Sequence, residues 1–286
     1  MKGKLLLLIP ILALLFAACE ESGPNIVLKD KVVLVDTTYT VATIESPQTR
    51  NTLVEEFTGV RCTNCPQGHE KAKEIHDVWG NRFLFVSYHS NFLDDPYPFS
   101  PVDMGSDEAQ AMDIFLGPAP AKPAAAIDRK LFPGETALVH LLQKWSAFVQ
   151  EQLDNHPTPV NIHVNTDFDP VSKELIVNVR LHYTEAVSED NKVSIMLIEN
   201  GIIAPQLDGP DIDTFYVHDE VFRAFVTETR GNQLISPDKN AGREFVKEFL
   251  FDDFGDDWNI ANMEIFAFVH KNDVDKEIYH AVHADF

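Results

Sequence analysis

The chain has 286 residues, 44% hydrophobic and 24% charged, a composition that supports packed cores and speaks against wholesale disorder. Acidic residues outnumber basic ones 45 to 23, and the resulting formal charge of −22 excludes a general binder of nucleic-acid backbones. Three cysteines are too few for a disulfide-stapled scaffold, and the length suggests two domains.

Residues 1–18 read as a signal peptide. Lys2 and Lys4 form a basic start, and Leu5 to Phe16 is an apolar run broken only by Pro10, too short to span a bilayer comfortably. Ala17 and Ala18 lead directly into Cys19, an arrangement that resembles a bacterial lipobox, in which the cysteine is lipidated and becomes the first mature residue. The alternative is an ordinary secretory cut near Ala18 with an incidental cysteine. Cleavage removes two bases and no acid, so the mature charge is −24, and with Cys19 lipidated only Cys62 and Cys65 remain as thiols.

Residues 19–45 read as a tether followed by leading strands: Glu20 to Pro24 is polar, and Lys31 to Ile44 is rich in β-branched residues. Thr52 to Thr58 predicts a strand ending at Gly59. Pro66 to Trp79 has helical spacing, with Gly80 as its stop. Phe83 to Tyr88 fits a buried strand, and Ser90 to Pro101 a loop. Ser106 caps a helix that ends at Gly117, Ala124 to Asp128 predicts a strand, and Glu135 to Asp154 a long amphipathic helix. This alternation predicts an α/β domain over 46–155 with a partly parallel sheet. Beyond His156 to Pro159, residues 156–286 read as a β-sandwich-like domain. Its strands are Val160 to Asn165, Leu175 to Tyr183, Val193 to Glu199, Met263 to His270 and Ile278 to Ala284. An insertion at about 201–258 interrupts it, with acidic turns and a helix near Phe245.

The chemistry concentrates at Cys62-Thr63-Asn64-Cys65, which follows a strand and opens a helix. Unpaired N–H groups and the helix dipole at that end stabilise a thiolate, the nucleophile of disulfide exchange. Arg61 beside Cys62 pushes the same way, and Lys122 is a further candidate cation, with a plain surface lysine as the alternative. Cys62 reads as the nucleophile and Cys65 as the resolving thiol. The plain reading of the pair is an inert local disulfide. A metal reading would add His69, with His76 or His89, but offers no clear fourth ligand, and no metal is expected. No cofactor signature is present; Pro66 after Cys65 excludes covalent c-type haem attachment. The acidic runs Asp208 to Asp213 and Asp252 to Asp257 lack calcium-loop spacing and read as solvated loops. Glu55 and Glu56 sit on opposite faces of a strand, so one of them is expected to point inward.

The run Leu53 to Cys65 (LVEEFTGVRCTNC) resembles the active-site segment of thioredoxin-fold proteins. That resemblance implies a thioredoxin-like domain, Glu56 as the buried acid that relays protons to the second cysteine, and Pro123 in Lys122 to Asp128 as the cis-proline beside the redox pair. Arg61 stands where thioredoxins carry Trp, and Thr63-Asn64 replaces their usual Gly-Pro. A broader likeness adds the lipobox, the Pro123 to Arg129 segment and Tyr216 to Arg223. Together these are similar to the twenty-eight-kilodalton outer-membrane protein family of bacterial lipoproteins, which joins a thioredoxin-like domain to a C-terminal β-rich one.

The expectation is therefore a lipid-anchored extracytoplasmic thiol–disulfide oxidoreductase. Its partners would be protein thiols or disulfides and a redox partner protein, with attachment to a bacterial outer membrane through Cys19 and the leaflet left open. The alternative is a surface or periplasmic binding lipoprotein on a redox-inactive thioredoxin scaffold, its function carried by the β domain.

Overall fold

The computed structural model describes residues 34–117, 119–155, 157–236 and 238–286. The signal peptide, Cys19 and the tether at 20–24 lie outside the described residues.

In chain order the described elements are β1 (Asp36–Thr40), β2 (Thr52–Thr58), α1 (Cys65–Trp79), β3 (Phe83–His89), α2 (Asp107–Leu116), β4 (Ala124–Ile127), β5 (Val139–Leu141) and α3 (Trp145–Asn155). Then follow β6 (Val160–Asp169), β7 (Glu174–Tyr183), β8 (Lys192–Glu199), β9 (Ile202–Asp208), β10 (Asp211–His218), β11 (Val221–Phe225), β12 (Asn232–Gln233), β13 (Arg243–Phe251), β14 (Met263–His270) and β15 (Ile278–Asp285). The fold is thus mostly β-sheet with few helices. No helix among the described residues is long and apolar enough to cross a membrane.

A nine-stranded sheet runs β15-β14-β8-β11-β3-β2-β4-β5, with β12 paired to β8. β2 and β3 are parallel, joined by the α1 crossover, while β4 runs antiparallel to β2 and β5 antiparallel to β4. Strands from both sides of residue 156 share this sheet. The junction is the parallel pairing of β11 with β3 at Val221 and Ser87, where the Ser87 N–H donates to the Glu220 carbonyl at 2.8 Å. A four-stranded sheet, β1-β13-β7-β6, lies against the far end. Its inward residues Val177, Val179, Leu181 and Phe245 pack on Val193, Ile195, Leu197, Ile265 and Ala267 of β8 and β14.

The strand periodicity explains these layers. Leu175, Val177, Val179, Leu181 and Tyr183 are buried at every second position, as their alternation predicts. Along β2 the alternation splits between two cores. Leu53 and Phe57 join Tyr88, Met112 and Phe268 on one face, while Val54 joins Ile75, Phe85, Trp145 and Val149 under α1 and α3 on the other. Because both faces are covered, Glu55 and Glu56 are both fully buried, not one alone. A central strand has no solvent face on which to leave the second carboxylate.

Two helix expectations fail for stated reasons. The stretch 135–154 is not one helix: Val139–Leu141 forms β5, covering the outer edge of the short β4, and α3 begins only at Trp145. The Trp145 indole N–H donates to the His140 carbonyl at 2.9 Å and fixes that bend. Around Phe245 the chain is β13, whose Phe245, Phe249 and Phe251 recur with the even spacing of one strand face.

The Glu55 carboxylate is held by a two-pronged contact from Arg129, Nε and Nη2 each at 2.7 Å, and by the Tyr88 hydroxyl at 3.1 Å. The guanidinium also lies 4.9 Å from the centre of the Phe268 ring on β14, tying that strand to β2 and β3. Arg129→Met alone is expected to destabilise the protein by about 3–5 kcal/mol, because it strands a buried carboxylate. Glu55→Met together with Arg129→Met should cost much less. Urea unfolding of both variants checks the contrast.

Candidate functional site

The turn after β2 delivers the two cysteines to the start of α1. The Cys62 N–H donates to Gly59 O at 3.0 Å, the Cys65 N–H donates to Cys62 O at 3.2 Å, and α1 opens at Cys65. Asn64 caps the helix without a side-chain hydrogen bond, and Pro66 follows in its first turn, where a missing N–H costs little. Cys62 and Cys65 are joined as a disulfide with Cα atoms 5.3 Å apart. Cys62 is 4% exposed and Cys65 wholly buried, while Thr63 and Asn64 between them are exposed.

Glu56 and Pro123 meet beneath the first turn of α1. The Lys122–Pro123 peptide is cis. A Cβ placed on Gly68 would fall 2.2 Å from Glu56 Oε1 and 2.8 Å from Pro123 Cβ, so only glycine lets the helix, the carboxylate and the proline approach this closely. Nothing in the sequence pattern singled out Gly68. Glu56 Oε2 accepts a hydrogen bond from the Ser87 hydroxyl at 3.1 Å and lies 3.3 Å from His69 Nε2.

The two candidate modulating cations are both held by backbone carbonyls. Arg61 turns toward the loop at 90–101, donating to the Asp95 and Pro96 carbonyls at 2.6 and 3.0 Å, with its guanidinium 4.8 Å from the centre of the Tyr97 ring. Lys122 is not a surface lysine. It is buried, donating to Thr58 O at 3.0 Å and to Ser90 Oγ at 2.8 Å, and burial pulls its pKa down against the pull of Asp113 and Asp94.

Further contributors come from the stretch expected to be an insertion. The β9–β10 hairpin folds its tip onto the cysteine motif. The Leu207 N–H donates to Val60 O at 2.8 Å, the Thr63 hydroxyl to Gly209 O at 2.6 Å, and the fully buried Gln206 amide to Cys62 O at 3.1 Å. The acidic run 208–213 is exposed, as expected, yet its Gly209 backbone is part of this clamp. On the returning strand, Tyr216 Oη lies 2.7 Å from His69 Nδ1, and His218 packs its ring 4.8 Å from Tyr216 and 5.6 Å from His89. Burial drives His218 down to about 3 and His89 well below the usual histidine range, so both are neutral. Burial, with Asp219 alongside, lifts Glu220 to about 7. The neighbours of His218 in sequence carried no sign of this; only the hairpin's return path brings it to the site.

The metal candidates do not converge. Both sulfurs are bonded to each other, His69 is shared between Glu56 and Tyr216, and His76 is exposed on α1. Among the described residues, the donor atoms of Glu45, His182 and Glu244 lie within 4.8 Å of one another. Arg180 Nη1 already sits between the two carboxylates there, at 2.7 and 2.9 Å, so a guanidinium supplies the positive charge.

The fold resembles that of HBP35 of Porphyromonas gingivalis, with a TM-score of 0.66 and 16% identity, covering 85% of this chain and 77% of that one. A weaker likeness is to protein AGR_C_4864 from Agrobacterium tumefaciens, with a TM-score of 0.49, 13% identity and coverage of 83% and 95%. Another is to a domain of the outer membrane lipoprotein Omp28 from Porphyromonas gingivalis, with a TM-score of 0.33, 17% identity and coverage of 46% and 92%. A sequence search of curated proteins finds no match. The profile of outer membrane protein Omp28 matches residues 119–282, which include β4, the clamping hairpin and the strands that extend the central sheet. The chain belongs to the Omp28 family of outer membrane proteins.

Proposed function

We propose that this protein is a thiol–disulfide oxidoreductase, anchored to the outer membrane through lipid on Cys19 and acting on protein thiols or disulfides through Cys62 and Cys65. The observation that carries this reading is the disulfide at the N-terminus of α1 with a buried carboxylate and a cis-proline packed beneath the same helical turn. A helix start favours the thiolate that exchange requires. Cys62, the more exposed residue of the two, is the one a partner reaches, and Cys65, wholly buried, resolves the mixed disulfide. On this reading β2, α1, β3, β4 and α3 make a thioredoxin-like unit within residues 46–155, and residues 156–286 present it to partners.

A second reading, a binding lipoprotein on a redox-inactive scaffold, is favoured by one feature: the hairpin tip leaves Cys62 only 4% exposed. The reduction potential of the pair separates the two. A value between about −120 and −270 mV belongs to exchangers, and one below about −300 mV to a structural disulfide.

On the redox reading, Cys65→Ser is expected to accumulate mixed disulfides on Cys62 in the extracytoplasmic compartment, and Cys62→Ser to accumulate none. Non-reducing gels with thiol trapping check this, and the absence of trapped partners on Cys65→Ser favours the binding reading.

Gly68→Ala is a sharper probe. Ala in place of Gly gains about 1 kcal/mol of helix propensity. Here the added methyl collides with Glu56 and Pro123, an overpacking cost of about 1–3 kcal/mol. The variant is expected to lose exchange by at least about tenfold through displacement of Glu56. Insulin-reduction assays on the folded variant measure it.

A further inference from the structure

The two oxygens of Glu56 meet different surroundings. Oε1 is buried, makes no hydrogen bond among the described residues, and lies against the turn of α1 that holds Gly68. Cys65 is three residues earlier, on the same helical face. Oε2 instead faces His69 Nε2, a buried nitrogen 3.3 Å away. The opposite ring nitrogen, Nδ1, contacts the Tyr216 hydroxyl at 2.7 Å. His69 is itself 19% exposed, and with Tyr216 it lines a cavity of about 460 Å³ whose rim includes the exposed Lys73 and His76. Glu56, His69 and Tyr216 therefore form a line of groups able to exchange protons, from beneath the cysteine-bearing helix to the cavity.

We propose that His69 carries the proton between Glu56 and solvent, through the Tyr216-lined cavity, each time the Cys62–Cys65 pair changes redox state. The proposal rests on the redox reading above and makes His69 a positioning and relay residue for it. In the reducing direction, a dithiol donor's thiolate attacks Cys62 Sγ. The sulfur–sulfur bond breaks, and its electron pair stays on Cys65. The His69 imidazolium gives its proton to the Glu56 carboxylate, Glu56 passes a proton to Cys65, and His69 is reprotonated from the cavity. The donor's second thiolate then attacks the donor sulfur bound to Cys62, forming the donor disulfide and releasing Cys62 as a thiolate. Two electrons pass from the dithiol to the protein. In the oxidising direction the Cys65 proton leaves by the same path.

The surroundings suit this role. Burial disfavours the imidazolium, but the adjacent Glu56 outweighs it, so the pKa of His69 is raised. The groups facing His69 are Glu56 from β2, the neutral His89 at the end of β3, Tyr216 and the neutral His218 from β10, Asp219 and Glu220 from the turn after it, and Glu70 and Lys73 from α1. A raised histidine is loaded with its proton below its folded pKa and emptied as pH rises through it.

Reduction of the mature chain by dithiothreitol, followed by thiol trapping at constant donor-thiolate concentration across pH, tests the proposal. The wild-type rate is expected to fall as pH rises through the His69 titration. His69→Gln should slow reduction about ten- to a hundredfold near neutral pH and lose that inflection. His69→Ala should be accelerated several-fold by added imidazole, which can reach the vacated position through the cavity. A His69→Gln variant with the wild-type rate and pH profile, or a His69→Ala variant that imidazole does not rescue, overturns the relay while leaving the redox reading intact. A folded wild-type chain whose disulfide dithiothreitol cannot reduce overturns both.

Discussion

The buried pairing of Glu55 with Arg129 sets the geometry on which the site depends. Side chains alternate along a strand, so fixing Glu55 toward Arg129 and Tyr88 obliges Glu56 to face α1. A one-residue slip of β2 that put Val54 in the place of Glu55 would leave Arg129 without its charge partner inside the core. An ion pair in so dry a place adds little net stability over a hydrophobic pair, but breaking it is costly. Its value is in excluding the wrong register. The Arg129 guanidinium over Phe268 extends that constraint to β14, beyond the β2–β3 crossover.

The same logic binds the later part of the chain to the cysteines. β11 enters beside β3 through a hydrogen bond at Ser87, the residue whose side chain also donates to Glu56. Glu220, which accepts the Ser87 N–H at its carbonyl, has a left-handed φ of 52°, so the chain turns sharply there between the hairpin and the sheet. That turn aims Tyr216 and His218 at His69. The site is therefore assembled from segments more than a hundred residues apart, and the sheet that joins them is continuous.

How much of this was legible in the sequence follows from which contacts are local. Cys62, Cys65 and the α1 spacing lie within one strand–turn–helix unit and could be read from the segment alone, whereas Glu56 was singled out by the resemblance to thioredoxin-fold proteins. Pro123 came only through resemblance, since nothing in its neighbourhood marks a cis peptide. Gly68 was hidden because a glycine inside a helical pattern looks like a weakness until the carboxylate beneath it is known. Gln206, Tyr216 and His218 were not readable, because their role depends on where a hairpin 144 to 147 residues downstream folds back. For Lys122 the sequence left a modulating cation and a surface lysine both open, because the carbonyls of Thr58 and Ser90 that receive it come from segments distant in the chain.

The hairpin tip covers Cys62 without locking it. Its direct holds on the motif are two backbone pairings, the Thr63 hydroxyl and the Gln206 amide. At about 1 kcal/mol net for each hydrogen bond, they amount to a few kcal/mol, a cost that a docking polypeptide can meet with bonds of the same kind. The exposed carbonyls and N–H groups of the motif would then change partner rather than lose one, which keeps the penalty for opening small. Arg61 stays outside these bonds, held by the Asp95 and Pro96 carbonyls. On the redox reading cover and access are thus compatible, because apart from the Gln206 amide the hairpin closes the site with backbone groups that an extended chain can replace.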